Sequence, residues 1–172
     1  LTHSSGLPRE ADFPYWTGPD YPFPPAEKVR ERVSGQEMLY RPETFFQYSN
    51  LGLTLAGEVA AAAAGRPYAE LIRGNILDPL GMKDTETEHL DRHRGGRLAS
   101  GYTAVRRDGT REKVPPYEVR GIAPAAGFTS TVEDLGRFAS WQLRLLGTKK
   151  TEVLDVDTLR EMQRVQFMDP GW

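Results

Sequence analysis

Six prolines fall within residues 8 to 25, at positions 8, 14, 19, 22, 24 and 25, and no helix or sheet interior tolerates that density. Each proline removes a backbone donor and fixes φ, and each pushes the residue before it out of the helical region. The segment is therefore predicted to be an extended loop. Between the prolines stand Phe13, Tyr15, Trp16, Tyr21 and Phe23. Aromatics so placed either pin a loop onto a core or form a flap over a pocket, and the residues leave both readings open. Ala26 to Val33 then reads as a short helix with Pro25 at its first turn.

Beyond the loop the pattern turns helical. Residues 51–64 carry Leu51, Leu55, Val59 and Ala62 on one stripe, with Asn50 or Ser49 as N-cap and Gly65 followed by Pro67 as the stop. The run of alanines at the end of this helix should let a neighbouring element approach closely. A second helix is expected over 68–76, with Tyr68, Leu71, Ile72 and Ile76 apolar and Asp78-Pro79-Leu80-Gly81 as a turn. The two should form a helical hairpin. A small β-hairpin is expected over 102–114, its turn at Asp108-Gly109. A helix over 130–146 would start in a capping box of Ser130 and Glu133, and a weaker one is expected over 157–166 with Leu159 and Met162 inward. No internal repeat, low-complexity tract or composition break divides the chain, which is predicted to be one mainly α unit with a small hairpin.

With 172 residues, 38% of them hydrophobic, the chain is long enough to bury a core. A formal charge of −2 gives no general attraction for nucleic acid or anionic lipid, which points to a small molecule or a protein segment as partner. The absence of cysteine excludes a disulfide scaffold, a thiolate nucleophile and thiolate-bound zinc, and leaves the compartment open. Residues 1–6 have neither the basic nor the apolar region of a signal peptide, and no run of about 18 apolar residues is present to span a bilayer. A first residue other than Met suggests a processed or excised piece.

The chemistry concentrates in Tyr48-Ser49-Asn50, just ahead of the Leu/Ala-rich helix. A phenol acts as a base only where a nearby cation stabilises the phenolate, and nothing in this sequence names that cation. Asn50 can offer an amide N–H to a substrate carbonyl and a carbonyl oxygen to a lysine. The plainer alternative is that Asn50 caps the helix and Tyr48 packs. No serine of the chain begins a Ser-x-x-Lys, so the nucleophile of an acyl-transfer site is missing.

Five blocks occur in the order and spacing of one family: Leu1 to Pro8, Tyr48 to Gly52 leading into Leu55-Ala56-Gly57-Glu58, Leu77 to Thr85, Ala99 to Tyr102, and Pro124 to Thr131. The chain resembles the serine β-lactamase and penicillin-binding protein family, in its class C β-lactamase, DD-peptidase and esterase branch. The resemblance implies the helical subdomain of the β-lactamase/transpeptidase-like fold without the α/β sheet subdomain. In that family a Ser-x-x-Lys, a Tyr-x-Asn and a Lys- or His-x-Gly meet at the active site, and only the second is present here. The resemblance makes Tyr48 the general acid/base and Asn50 the residue that holds the carbonyl side of the substrate. It also makes Ala125, Ala126 and Gly127 lining of the cleft, with Ala126 where glycine is common. Trp16, in the aromatic loop, is the candidate for selectivity.

The same resemblance implies an acyl-serine hydrolase of amides or esters needing no metal and no organic cofactor; the localisation is unknown, with export or the cell envelope compatible with the family. The excised half would be inactive by itself, would pack against the missing sheet subdomain and would tend to self-associate. A stand-alone binding module derived from the same subdomain is the alternative, marked by exposed Leu55, Leu71 or Phe138. His93-Arg94-Gly95 has the form of the third motif but precedes the Ala-Gly-Phe block, which the motif follows in the family. Thr110 to Lys113 has nucleophile spacing in a strand, where the two side chains would face opposite ways. His3 beside Ser4 and Ser5 reads as structural, and His89 and His93, with Glu86, Glu88 and Asp91 nearby, as part of a solvated loop rather than a metal site.

Overall fold

The computed structural model describes residues 2–12, 15–18, 20–88, 93, 96–148 and 151–168. The elements in chain order are α1 (Ala26–Val33), α2 (Asn50–Ala64), α3 (Tyr68–Ile72), β1 (Gly101–Tyr102), β2 (Lys113–Val114), α4 (Ala123–Ala126), α5 (Val132–Gly147) and α6 (Val156–Met162). The chain is mostly helical with one two-stranded antiparallel sheet. Among the described residues no helix is long and apolar enough to cross a membrane.

Two apolar clusters hold these elements. The larger joins Ala11, Tyr15 and Phe23 of the proline-rich segment to Val29 of α1, Leu51 of α2, Val119 and Ile122. Aromatics that cannot enter regular structure thus serve as core, while Trp16 stays 41% exposed. Ala11, Tyr15 and Phe23 follow the pinning reading of the loop. Burial raises the Tyr15 phenol to about 12, and its oxygen accepts from the Ala11 N–H at 3.3 Å. The smaller cluster packs Trp141 and Leu145 of α5 on Leu159 of α6.

Helix α2 is capped by Ser49, whose Oγ accepts from the Gly52 N–H at 2.8 Å, and ends at Gly65 with φ +64°. Its buried face is Asn50, Leu51, Thr54 and Gly57, so the expected stripe through Val59 and Ala62 is wrong, and both of those residues are exposed. The close approach also falls elsewhere than the alanine run. It falls at Gly57, where a Cβ would overlap the Pro124 ring of α4.

The helix expected over 68–76 divides. After Ile72 the turns widen through Arg73–Leu77, with the Asp78 N–H reaching the Arg73 carbonyl at 2.9 Å, and this carries Leu77 into the interior. Gly74 lies inside the widened turn, where helical preference is weakest. In the hairpin Gly101 pairs with Val114 and Tyr102 with Lys113, and the Thr103 N–H continues the register to the Glu112 carbonyl at 2.9 Å. Gly109 takes φ +81° in the turn as its sequence requires.

Helix α5 is capped by Thr131 rather than by Ser130, with Oγ1 accepting from the Asp134 N–H at 3.3 Å. The Ser130 hydroxyl pairs instead with Thr85 at 2.7 Å, part of a network around the buried Asp134 carboxylate. Burial opposes ionisation of Asp134, but the Asp84 N–H at 2.8 Å, the Thr85 hydroxyl at 2.9 Å and Arg137 outweigh it and hold the carboxyl below its usual range. Helix α6 stops at Met162, short of the expected 166, where the Gln166 side chain donates to the Glu161 carbonyl at 2.7 Å and closes the helix end. Leu159 is inward as expected, whereas Met162 is 67% exposed. Leu55, Leu71 and Phe138, the residues that would mark a stand-alone module, are half-buried.

Candidate active site at the start of helix α2

The first residues of α2 are fastened to the loop that precedes the aromatic segment, residue against residue. Ser49 Oγ donates to the Pro8 carbonyl at 2.7 Å, the Leu51 N–H donates to the Arg9 carbonyl at 3.1 Å, and Asn50 Nδ2 donates to Glu10 Oε1 at 2.5 Å. Because Ser49 caps the helix, the Asn50 side chain is released from that duty. It is wholly buried and directed at Glu10. The same carboxylate oxygen accepts from Trp16 Nε1 at 2.8 Å, so Glu10 joins two sequence-predicted site residues, Asn50 and Trp16.

Tyr48 stands next to this node in extended chain and is 43% exposed. Its ring stacks on His3, with centroids 4.5 Å apart at 28°, and the Arg9 guanidinium carbon lies 5.5 Å from its centroid. The phenol is thus held by its ring while part of it stays in solvent. His3 Nδ1 accepts from the Ser49 N–H at 3.1 Å, which assigns the neutral ring's proton to Nε2 and makes His3 part of the frame, not of a dyad. Ser4 and Ser5 are engaged locally, with Thr2 Oγ1 at 2.7 Å and the Leu7 N–H at 3.3 Å.

Partial burial lowers the His3 pKa from 6.5. A protonated His3 would lose the Ser49 bond, and the unfolded chain takes up the proton first as pH falls. The stability from this contact is therefore present above about 6.5 and is lost as pH drops through the lower folded value. Melting temperature is expected to decline between pH 7.5 and 5.5, and His3→Asn, whose Oδ1 can still accept from Ser49, should flatten that slope. An unchanged slope in His3→Asn would remove the contact from the account.

Of the remaining predicted residues, Ala126 and Gly127 lie along a different groove, which Ala125 does not line. Ala126 and Gly127 line a cavity of about 410 Å³ with Ser100, Lys113, Tyr117 and Phe128, whose lining does not include Tyr48 or Asn50. A second groove, about 720 Å³, passes His3, Ser5, Ser49 and Gly52, beside the start of α2, and reaches Glu161 and Met162. Ala126 is exposed on its groove, whereas Gly127 is buried under the Thr87 carbonyl, so the obligatory glycine of the block is Gly127. Ala125 is half-buried in α4. Among the described residues no group of three acidic or histidine side chains could hold a metal ion. His89, Asp91, Arg94 and Gly95, which figure in the two rejected histidine motifs, lie outside the described residues.

Glu10 is the functional candidate that sequence reasoning missed. It follows a family block by two residues, inside the proline-rich segment, and only the spatial pairing of residues 40 apart reveals it. No signal in the sequence sets it apart, since Asp12 and Asp20 are carboxylates in the same segment.

With the fold and this corner in place, the comparisons are specific. The Beta-lactamase family model matches residues 1–172, and the chain belongs to that family of serine hydrolases. A Dictyostelium discoideum protein described as beta-lactamase-like protein 2 is 29% identical over 171 residues, covering 99% of this chain and 30% of the relative. The D-alanyl-D-alanine-carboxypeptidase/endopeptidase AmpH of Escherichia coli K12 is 37% identical over 84 residues, 49% of this chain and 22% of that protein. The octameric penicillin-binding protein homologue from Pyrococcus abyssi superposes with a TM-score of 0.76 at 25% identity, covering 99% of this chain and 38% of that one. The chain thus spans less than a third of the length of these two curated relatives.

Proposed function

We propose that the chain carries the Tyr-x-Asn element of a serine hydrolase that cleaves an amide or ester through an acyl-serine intermediate. The observation that carries this reading is the Asn50 side chain: it is buried and oriented by Glu10 although the helix is capped by Ser49. A side chain held so firmly without a capping duty is arranged for another purpose, and the half-exposed Tyr48 phenol is two residues away. Tyr48 takes the serine proton as the oxygen attacks the carbonyl, then returns it to the leaving group, and water hydrolyses the ester so formed. Asn50 holds the carbonyl side of the substrate and receives the lysine that supplies the missing cation.

Serine and lysine come from a Ser-x-x-Lys that this sequence does not contain, which leaves the chain alone inactive. The substrate is a small molecule, peptide or ester; Trp16, tied to the same carboxylate as Asn50, lies beside its approach, whereas Ala126 and Gly127 line the separate groove, and the partner surface is the sheet subdomain of the same protein. The chain alone, treated with a fluorophosphonate or a penicillin, is expected to keep its intact mass. The protein expressed from its complete reading frame is expected to gain one adduct on a serine outside residues 1–172. A stoichiometric adduct on any serine within the chain would overturn the assignment.

A further inference from the structure

We propose that Glu10 is a positioning residue for the acyl-transfer site proposed above: one carboxylate oxygen holds Asn50 and Trp16 together, fixing the sense of the Asn50 carboxamide and the place of the indole beside it. The inference rests on the acyl-transfer reading and adds to it a residue that touches neither nucleophile nor acyl group.

Glu10 Oε1 accepts from Asn50 Nδ2 at 2.5 Å and from Trp16 Nε1 at 2.8 Å. An ionised carboxylate only accepts, so it selects the NH₂ end of the amide and turns Oδ1 the other way. A glutamine presenting its Oε1 to both donors would keep this sense, and an apolar side chain would not. Asn50 Oδ1 has no partner among the described residues, and this is the end that a lysine or substrate donor would meet. The backbone at Asn50 leaves little freedom to undo the arrangement, since Ser49 caps the helix and the Leu51 N–H is bonded to the Arg9 carbonyl. The indole is a donor only, and this bond ties it to the same oxygen, with its ring edge-on to Phe23 at 5.0 Å.

An ion pair does not explain the residue. Arg9 Nε lies 3.5 Å from Oε1 on a side chain 62% exposed, an arrangement that contributes little to stability. Glu10 Oε2, moreover, is buried with no partner among the described residues, a cost that a purely structural position would shed by becoming apolar. Such costs are tolerated where a side chain serves a site.

The test uses the protein expressed from its complete reading frame, with kcat and KM measured on a p-nitrophenyl ester. Glu10→Leu is expected to lose about a hundredfold in kcat, the scale of a small misplacement at a reacting centre, with a much smaller change in KM. Glu10→Gln, which keeps an acceptor oxygen, should recover most of that loss. Tryptophan emission should shift in Glu10→Leu and stay near the wild type in Glu10→Gln. If Glu10→Leu does not fold, Glu10→Asp takes its place, because a carboxylate shortened by one methylene cannot hold both donors. A folded Glu10→Leu with wild-type kcat overturns the proposal, and so does an equal loss in Glu10→Gln, which would make charge the cause. A wild type that neither hydrolyses the ester nor takes a fluorophosphonate overturns the acyl-transfer reading and this proposal with it. An active wild type with an indifferent Glu10 overturns this proposal alone.

Discussion

Tyr48→Phe, made in the protein expressed from its complete reading frame, is expected to lower kcat/KM by about 10²–10⁴-fold, the range that one general acid/base supplies. The substitution is informative because it removes so little else. The ring keeps its stack on His3 at 4.5 Å and its place beneath Arg9, and the residue is already 43% exposed. Stability should change by less than about 0.5 kcal/mol, as for other surface substitutions. Thermal unfolding and ester hydrolysis on the same preparation separate the two effects. Wild-type turnover in Tyr48→Phe would return Tyr48 to a packing role. Asn50→Ala is a poorer probe, since it removes a buried side chain and leaves Glu10 and Trp16 to rearrange.

Gly127→Ala is expected to destabilise the chain by about 3 kcal/mol, the upper end for a forced overpacking. Gly127 has φ −89° and ψ −22°, which any residue can adopt, so the cost is steric. A methyl would overlap the Thr87 carbonyl oxygen and come within 2.8 Å of the Ala123 carbonyl oxygen, and both obstacles are backbone. They cannot withdraw easily. The Gly127 N–H is bonded to the Ala123 carbonyl at 2.9 Å, and Glu86 and Thr129 exchange two backbone bonds at 3.0 Å on the other side. For a chain of this size the loss corresponds to a melting temperature lower by roughly 10 °C. Ala126→Gly, one residue earlier and exposed, is the matched comparison and should cost under about 1 kcal/mol. A wild-type melting temperature for Gly127→Ala would mean that the approach of the segment at Thr87 is loose.

The elements that could be read from the sequence share a local cause. Ser49 ahead of an apolar run and Gly65 after it mark the limits of α2, since a cap and a left-handed stop need only neighbouring residues. Asp108-Gly109 marks the turn of the hairpin for the same reason. Other features depended on competition between distant groups. Ser130 has the chemistry of a cap, yet Thr85 claims its hydroxyl and Thr131 caps α5 instead. Arg73–Leu77 departs from α-helix where Leu77 enters the interior, which no local propensity dictates. The buried face of α2 is set by where α4 and the aromatic segment lie, so Gly57 and Thr54 are inside while Val59 is out.

The site divides along the same line. The sequence by itself determined that Tyr48 and Asn50 stand on one corner at the head of a helix, that no Ser-x-x-Lys accompanies them, and that the proline-rich segment cannot be regular structure, because these follow from covalent order and backbone sterics. The tertiary structure alone decided that Ser49 is the cap and Asn50 the buried amide. It also decided that Tyr15 and Phe23 are core while Trp16 stays at the surface, and that Glu10 joins Trp16 to Asn50. Those outcomes depend on a loop closing over a helix 40 residues later, where a buried donor must find an acceptor and the nearest one in sequence is not the nearest in space.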